Sequence, residues 1–190
     1  MRKIFLFMNV SLDGYFEAPG HDLSWSRSGD FEAFSPEQGE EVDTLLFGRK
    51  TYEMFRQFWP TEEAYKTAPQ VAEFINQRHK VVVSRSPFES GWHNVTVISG
   101  EAVPQVKQLK EEPGKTIAIF GSNRLCVSLL EHKLLDEFQL MLNPVVLGAG
   151  TSLFTGLAAH TPFQLAALRQ FPSGNVLLTY RQREEQAGKG

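Results

Sequence analysis

The sequence is poor in the residues that organise most disulfide-stapled or metal-bound domains. Of 190 residues only one is cysteine, Cys126, so no internal disulfide forms and a thiolate zinc site lacks its second ligand. A reducing, cytoplasmic setting is the expectation. The five histidines, His21, His79, His93, His132 and His160, show neither metal-ligand spacing nor an HExxH pattern, which excludes the common histidine zinc motifs. No run approaches the roughly 20 apolar residues that span a bilayer. The apolar stretch Ile4 to Val10 is cut short by Asp13-Gly14 without a small-residue cleavage pattern behind it, so it reads as a first strand and not as a secretion signal. Charge of one sign is lacking too: 19 Lys plus Arg face 22 Asp plus Glu, a net charge of -3. That leaves no global field for a nucleic acid backbone, and any anion site must be local.

What is present is an ordinary globular composition, 42% hydrophobic and 22% charged, at a length that suits one domain. A single domain over residues 1–183 is expected, with residues 184–190 as a polar, flexible tail. Short uninterrupted apolar runs, the signature of strands covered on both faces, occur at Ile4-Phe5-Leu6-Phe7-Met8, residues 44–47, 80–83, 95–98, 116–120 and 138–142. Helix-like stretches lie between them at residues 31–42, 50–58, 69–78, 103–111 and 123–133. This alternation predicts crossover units and a mainly parallel sheet. Residues 164–170 and 175–183, joined by Phe171-Pro172-Ser173-Gly174, predict a C-terminal antiparallel hairpin, giving an α/β fold with a mixed sheet of about eight strands.

Open α/β sheets bind ligands beyond the carboxyl ends of their strands, where helix N-termini offer free N–H groups to anions. Three such ends carry suitable residues: Gly48-Arg49-Lys50-Thr51, Ser84-Arg85 and Gly121-Ser122-Asn123. Three anion sites in one sheet can line a single groove. Two arginines at two ends suit a pyrophosphate plus a ribose 2′-phosphate.

These segments, with Asn9-Val10-Ser11-Leu12-Asp13-Gly14-Tyr15 and Pro144-x-x-Leu147-Gly148-x-Gly150, resemble the dihydrofolate reductase-like superfamily, and within it the bacterial branch built on the RibD C-terminal domain. The resemblance implies a three-layer α/β/α fold with an eight-stranded sheet, NADPH as cofactor and a single reductase domain. It implies that Gly48, Arg49, Lys50 and Thr51 meet the pyrophosphate and 2′-phosphate, that Ser84 and Arg85 hold the adenosine end, and that Gly121, Ser122, Asn123 and Leu125 cradle the pyrophosphate from the other side. Asn9 and Val10 would face the nicotinamide, with Leu147 and Gly148 closing the site. Asp13 and Trp25 fall on the stretch matching the family's active-site loop, and Phe31 with Phe55 offers an apolar wall for a flat substrate. An acid at Glu32 or Asp30 matches the family's proton donor.

The implied activity is hydride transfer to a small planar nitrogen heterocycle, a pterin or an aminopyrimidine of the riboflavin pathway. A nucleotide-binding or sensory module that retains the groove without turnover is the alternative. The zinc deaminase signature that accompanies bifunctional riboflavin enzymes, H-x-E then P-C-x-x-C, has no counterpart. Gly121-Ser122 stands where folate reductases carry paired glycines. A homodimer is expected, with neither nucleic acid nor membrane as partner.

Overall fold

The computed structural model describes residues 1–26, 29–31, 39–121 and 123–182. In chain order these form β1 (Ile4–Val10), β2 (Tyr15–Glu17), β3 (Val42–Gly48), α1 (Arg49–Phe58), α2 (Glu62–Thr67), α3 (Pro69–Gln77), β4 (His79–Ser84) and β5 (Val95–Ser99). There follow α4 (Ala102–Glu111), β6 (Thr116–Phe120), α5 (Asn123–Glu131), β7 (Glu137–Leu142), β8 (Thr151–Ser152), β9 (Phe163–Gln170) and β10 (Val176–Gln182). The main sheet has eight strands in the order β5-β4-β3-β6-β1-β7-β10-β9. The first six run parallel, β10 runs antiparallel to them, and β9 pairs antiparallel with β10.

Side chains of successive strand residues point to opposite faces, and in β1 both faces are covered. Ile4, Leu6, Met8 and Val10 pack with α4 and α5 residues such as Val106, Leu125 and Leu129. Phe5 and Phe7 join Phe47, Tyr52, Phe74 and Phe120 on the face covered by α1 and α3. That double burial is why the strand reads as a continuous apolar run. Each fully buried Leu, Ile or Phe contributes about 1.5–3 kcal/mol.

The expected strands and hairpin are all present, and the differences have local causes. The segment expected as a helix over 31–42 lies largely outside the described residues, and its last residue, Val42, already belongs to β3. The last helix stops at Glu131 because Lys133 takes φ 55°, a left-handed conformation that a helix cannot continue. The short α2 was not expected from periodicity; Thr61 caps it by accepting from the Ala64 N–H at 3.3 Å. A second, two-stranded sheet pairs β2 with β8, each too short to show alternation. Among the described residues no helix is long and apolar enough to cross a membrane, and no cluster of three or more metal-ligand side chains occurs.

Candidate functional site

Two ends of the sheet compete for the role of site. At the amino-terminal end lies a cleft of about 520 Å³ lined by Arg2, Lys3, Lys110, Asp136, Glu137 and Arg181. Its charges satisfy one another: Lys3 Nζ lies 2.7 Å and Arg181 Nε 3.0 Å from Glu137 Oε2, Lys110 pairs with Asp136, and Arg2 pairs with Asp43. Burial would raise the Glu137 carboxyl, but the bonds from Lys3, Gln139 and Arg181 outweigh it and hold it below the usual range. Such a network ties strands together.

The carboxyl-terminal end is different. Sheet order places the ends of β4, β3, β6, β1 and β7 side by side, a row of roughly 19 Å at the usual inter-strand spacing of about 4.8 Å. At β3, Gly48 is the N-cap residue of α1, with φ -77° and ψ 153°, values any residue adopts, so close backbone approach and not conformational freedom is its use. No side chain caps this helix, and its first N–H groups therefore face outward. Thr51 in that first turn meets Gly121 of the neighbouring β6 end: a Cβ on Gly121 would lie 3.6 Å from Thr51 Cγ2, and Gly121 takes φ +83°. Two of the three expected anion sites thus abut at neighbouring strand ends.

Arg49 is half-exposed, bonded through Nε to Glu53 Oε1 at 2.8 Å, with its guanidinium 4.6 Å from the Phe88 ring. Lys50 Nζ lies 3.2 Å from His21 Nε2. Arg85, at the β4 end, is exposed and has no partner among the described residues. Ser84 corrects an expectation: it is buried and its hydroxyl donates to the Ser86 carbonyl at 2.7 Å, so it shapes the turn that presents Arg85 and is spent on that. Leu125 and Val10 are likewise core residues beside Leu6 and Met8 and present no side chain to the groove. Asn123 opens α5. Ser122 and Glu32 lie outside the described residues.

Around the β1 and β7 ends the loops lock together. The Asp13 carboxylate accepts from Gly148 N at 2.7 Å, Leu147 N at 3.1 Å and Ser11 Oγ at 2.7 Å. The Ser11 bond is the main cause holding its carboxyl below the usual value. Leu147 and Gly148, expected to close the site, thus have their amides held by Asp13, which ties the two loops together. Glu17 Oε1 accepts from Thr151 Oγ1 at 2.7 Å and meets His21 Nδ1 at 3.0 Å; burial pushes that carboxyl up, but these bonds outweigh it and it ends lowered.

Phe31 lies 4.6 Å from Phe7 and 5.7 Å from Phe120 between ring centroids, and Phe55 5.0 Å from Phe47. Both are half-buried, so they extend the core's aromatic surface to the groove. Trp25 is half-buried, its indole N–H covered and without an acceptor among the described residues. Asp30 accepts from Asn175 Nδ2 at 2.8 Å and from the Ser173 hydroxyl, which anchors it to the β9–β10 turn. Sequence reasoning missed two buried asparagines, Asn143 and Asn175. They close adjacent strands from distant segments, and each alone reads as a turn residue.

Residues 2–177 match the model of the RibD C-terminal domain. The chain belongs to that family. A Bacillus subtilis (strain 168) protein, YyaP, is 30% identical over 184 residues, covering 94% of each chain. Two solved structures share the fold. The Thermotoga maritima diaminohydroxyphosphoribosylaminopyrimidine deaminase/5-amino-6-(5-phosphoribosylamino)uracil reductase matches with TM-score 0.70 at 15% identity, over 96% of this chain and 57% of that one. Dihydrofolate reductase from Enterococcus faecalis, complexed with NADP(H), matches with TM-score 0.67 at 15% identity, over 96% and 97%. The fold is thus the dihydrofolate reductase-like one.

Proposed function

We propose that this RibD C-terminal domain is an NADPH-dependent reductase of a small planar nitrogen heterocycle, pterin-like or of the 5-amino-6-ribosylaminouracil type. The observation that carries the reading is the row of strand ends in which the uncapped α1 N–H groups, with Arg49 and Lys50 in the same first turn, lie beside Thr51 and Gly121, while the neighbouring β4 end carries the unpartnered Arg85. These residues fit a phosphate-rich dinucleotide: the α1 terminus takes a pyrophosphate, and an arginine fork suits a 2′-phosphate. A bound NADPH supplies the hydride. The chain's part is to hold the ring against the substrate and keep water out. Titration of the protein with NADPH and NADH tests this: NADPH binds at least tenfold tighter, and Arg85→Ala removes most of the difference. Equal binding of both would sink the assignment.

A second reading keeps the cofactor groove without turnover. It is favoured by Asp30, whose carboxylate is engaged by Ser173 and Asn175 and so serves as an anchor. NADPH oxidation with dihydrofolate or an aminopyrimidine acceptor, lost in Arg49→Ala, decides for the enzyme. The protein is further proposed to work as a homodimer through β9, an edge strand whose outer side pairs with no other strand among the described residues. A register shift opposite Thr179/Tyr180 brings Leu165 and Leu168, paired with Tyr180 and Leu178, to one face. Both leucines are exposed.

A further inference from the structure

Alternation along β1 places Asn9 on the same face as Phe5 and Phe7, above the aromatic surface made by Phe7, Phe31 and Phe120. Asn143, buried just past β7, reaches it from the neighbouring strand. Asn143 Nδ2 lies 2.9 Å from the Met141 carbonyl, 3.2 Å from Asn9 Oδ1 and 3.5 Å from the Val10 carbonyl. A main-chain carbonyl oxygen can only accept, so the end of Asn143 that faces Met141 has to be its NH2 group. The same NH2 group faces Asn9, so the atom it meets there has to be the Asn9 oxygen. The orientation of both amides follows from hydrogen-bond polarity.

The consequence falls on the other end of Asn9. Its Nδ2 has no partner among the described residues, and the residue is neither buried nor fully exposed. A half-desolvated amide donor whose oxygen is pinned from behind cannot turn to offer an acceptor instead without breaking that bond. It is a preset donor at the lip of a flat apolar surface. We propose that Asn9 reads a carbonyl oxygen carried on a planar ring at the carboxyl end of β1, and that Asn143 is the positioning residue that fixes its amide. This rests on the reductase reading above for what enters the groove. That ring is an oxo-substituted heterocyclic substrate.

The test uses matched rings, 6-aminouracil and 2,4,6-triaminopyrimidine, in which carbonyl oxygens are exchanged for amino groups at constant size, together with NADP+. Affinities are measured calorimetrically on the full chain, the ring pair with and without saturating NADP+. Wild type prefers the oxo ring at least tenfold, Asn9→Leu abolishes the preference, and Asn9→Asp, which presents an acceptor, reverses it. Asn143→Leu abolishes it with Asn9 intact, a change that a purely structural role of Asn143 would not produce. Asn9→Leu that weakens NADP+ about tenfold and leaves the ring ratio alone overturns the proposal. An unchanged ring ratio in Asn9→Leu overturns it, and because Asn9 is half-exposed this holds even if Asn143→Leu fails to fold. Wild type that binds NADP+ but does not discriminate the rings overturns the Asn9 role alone. Loss of the NADPH over NADH preference overturns the cofactor reading separately.

Discussion

Lys80 shows how much a single buried side chain can hold. It is fully buried, its ammonium 2.8 Å from the carbonyls of Asn76 and Arg78 and 4.6 Å from the Trp92 ring, so it closes the carboxyl end of α3 with a cation, where the helix dipole favours one. Burial lowers its pKa to about 8 from 10.5. Folding therefore penalises the charged form, a cost present below about pH 8 that fades as pH rises towards 10.5. Lys80→Met strands two carbonyls and is expected to cost about 2 kcal/mol at pH 7. Urea unfolding from pH 7 to 10 should show wild-type stability gaining a rising contribution that the variant lacks. The turn after β4 makes a sharper contrast, because Ser84 bonds inward and Arg85 is open. Ser84→Ala should cost about 1 kcal/mol of stability with NADPH affinity unchanged within twofold, whereas Arg85→Ala should leave stability alone and weaken NADPH by tenfold or more in the same titration.

Elements are joined by a few polar ties that periodicity does not reveal. Glu137 opens β7 and takes bonds from Lys3, which precedes β1, and from Arg181 of β10, clamping three adjacent strands. Its lowered carboxyl adds stability above the ordinary value of 4.5 that is lost as pH falls through its folded value. Glu137→Gln should cost about 3 kcal/mol at neutral pH and markedly less at pH 3, measured by denaturant melts. Gly150, with φ +152°, lies so close to β2 that a Cβ would sit 2.2 Å from the Glu17 carbonyl oxygen. Gly150→Ala should separate β2 from β8 and raise proteolysis between residues 11 and 26. The strands covered on both faces were legible because burial imposes apolar runs, and the candidate site at the carboxyl end because its residues are consecutive at strand ends. Asn9 with Asn143, Asp13 with Gly148 and Lys50 with His21 were not legible: each joins segments that only the fold brings together. Ser84, Leu125 and Val10 stand beside motifs yet bury their side chains, since position beside a motif does not say which way a side chain points.

At the scale of the whole molecule the two sheet margins differ. β5 is short, five residues, while β9 runs eight residues with Leu165 and Leu168 uncovered. A long apolar edge invites pairing. Light scattering should give twice the 21.4 kDa chain mass, and Leu165→Glu with Leu168→Glu should return it to one chain with the groove intact. The sheet order also bears on the chain's birth. β1 is made first yet lies between β6 and β7, with Ile4 beside Ile117 and Phe5 beside Glu137. At translation speeds of roughly 5–20 residues per second, Ile4-Phe5-Leu6-Phe7-Met8 must wait on the order of ten seconds outside the ribosome before either flanking strand exists. During that interval the most apolar stretch of the protein is a naked ribbon, and whatever shields nascent chains in the cell has to hold it.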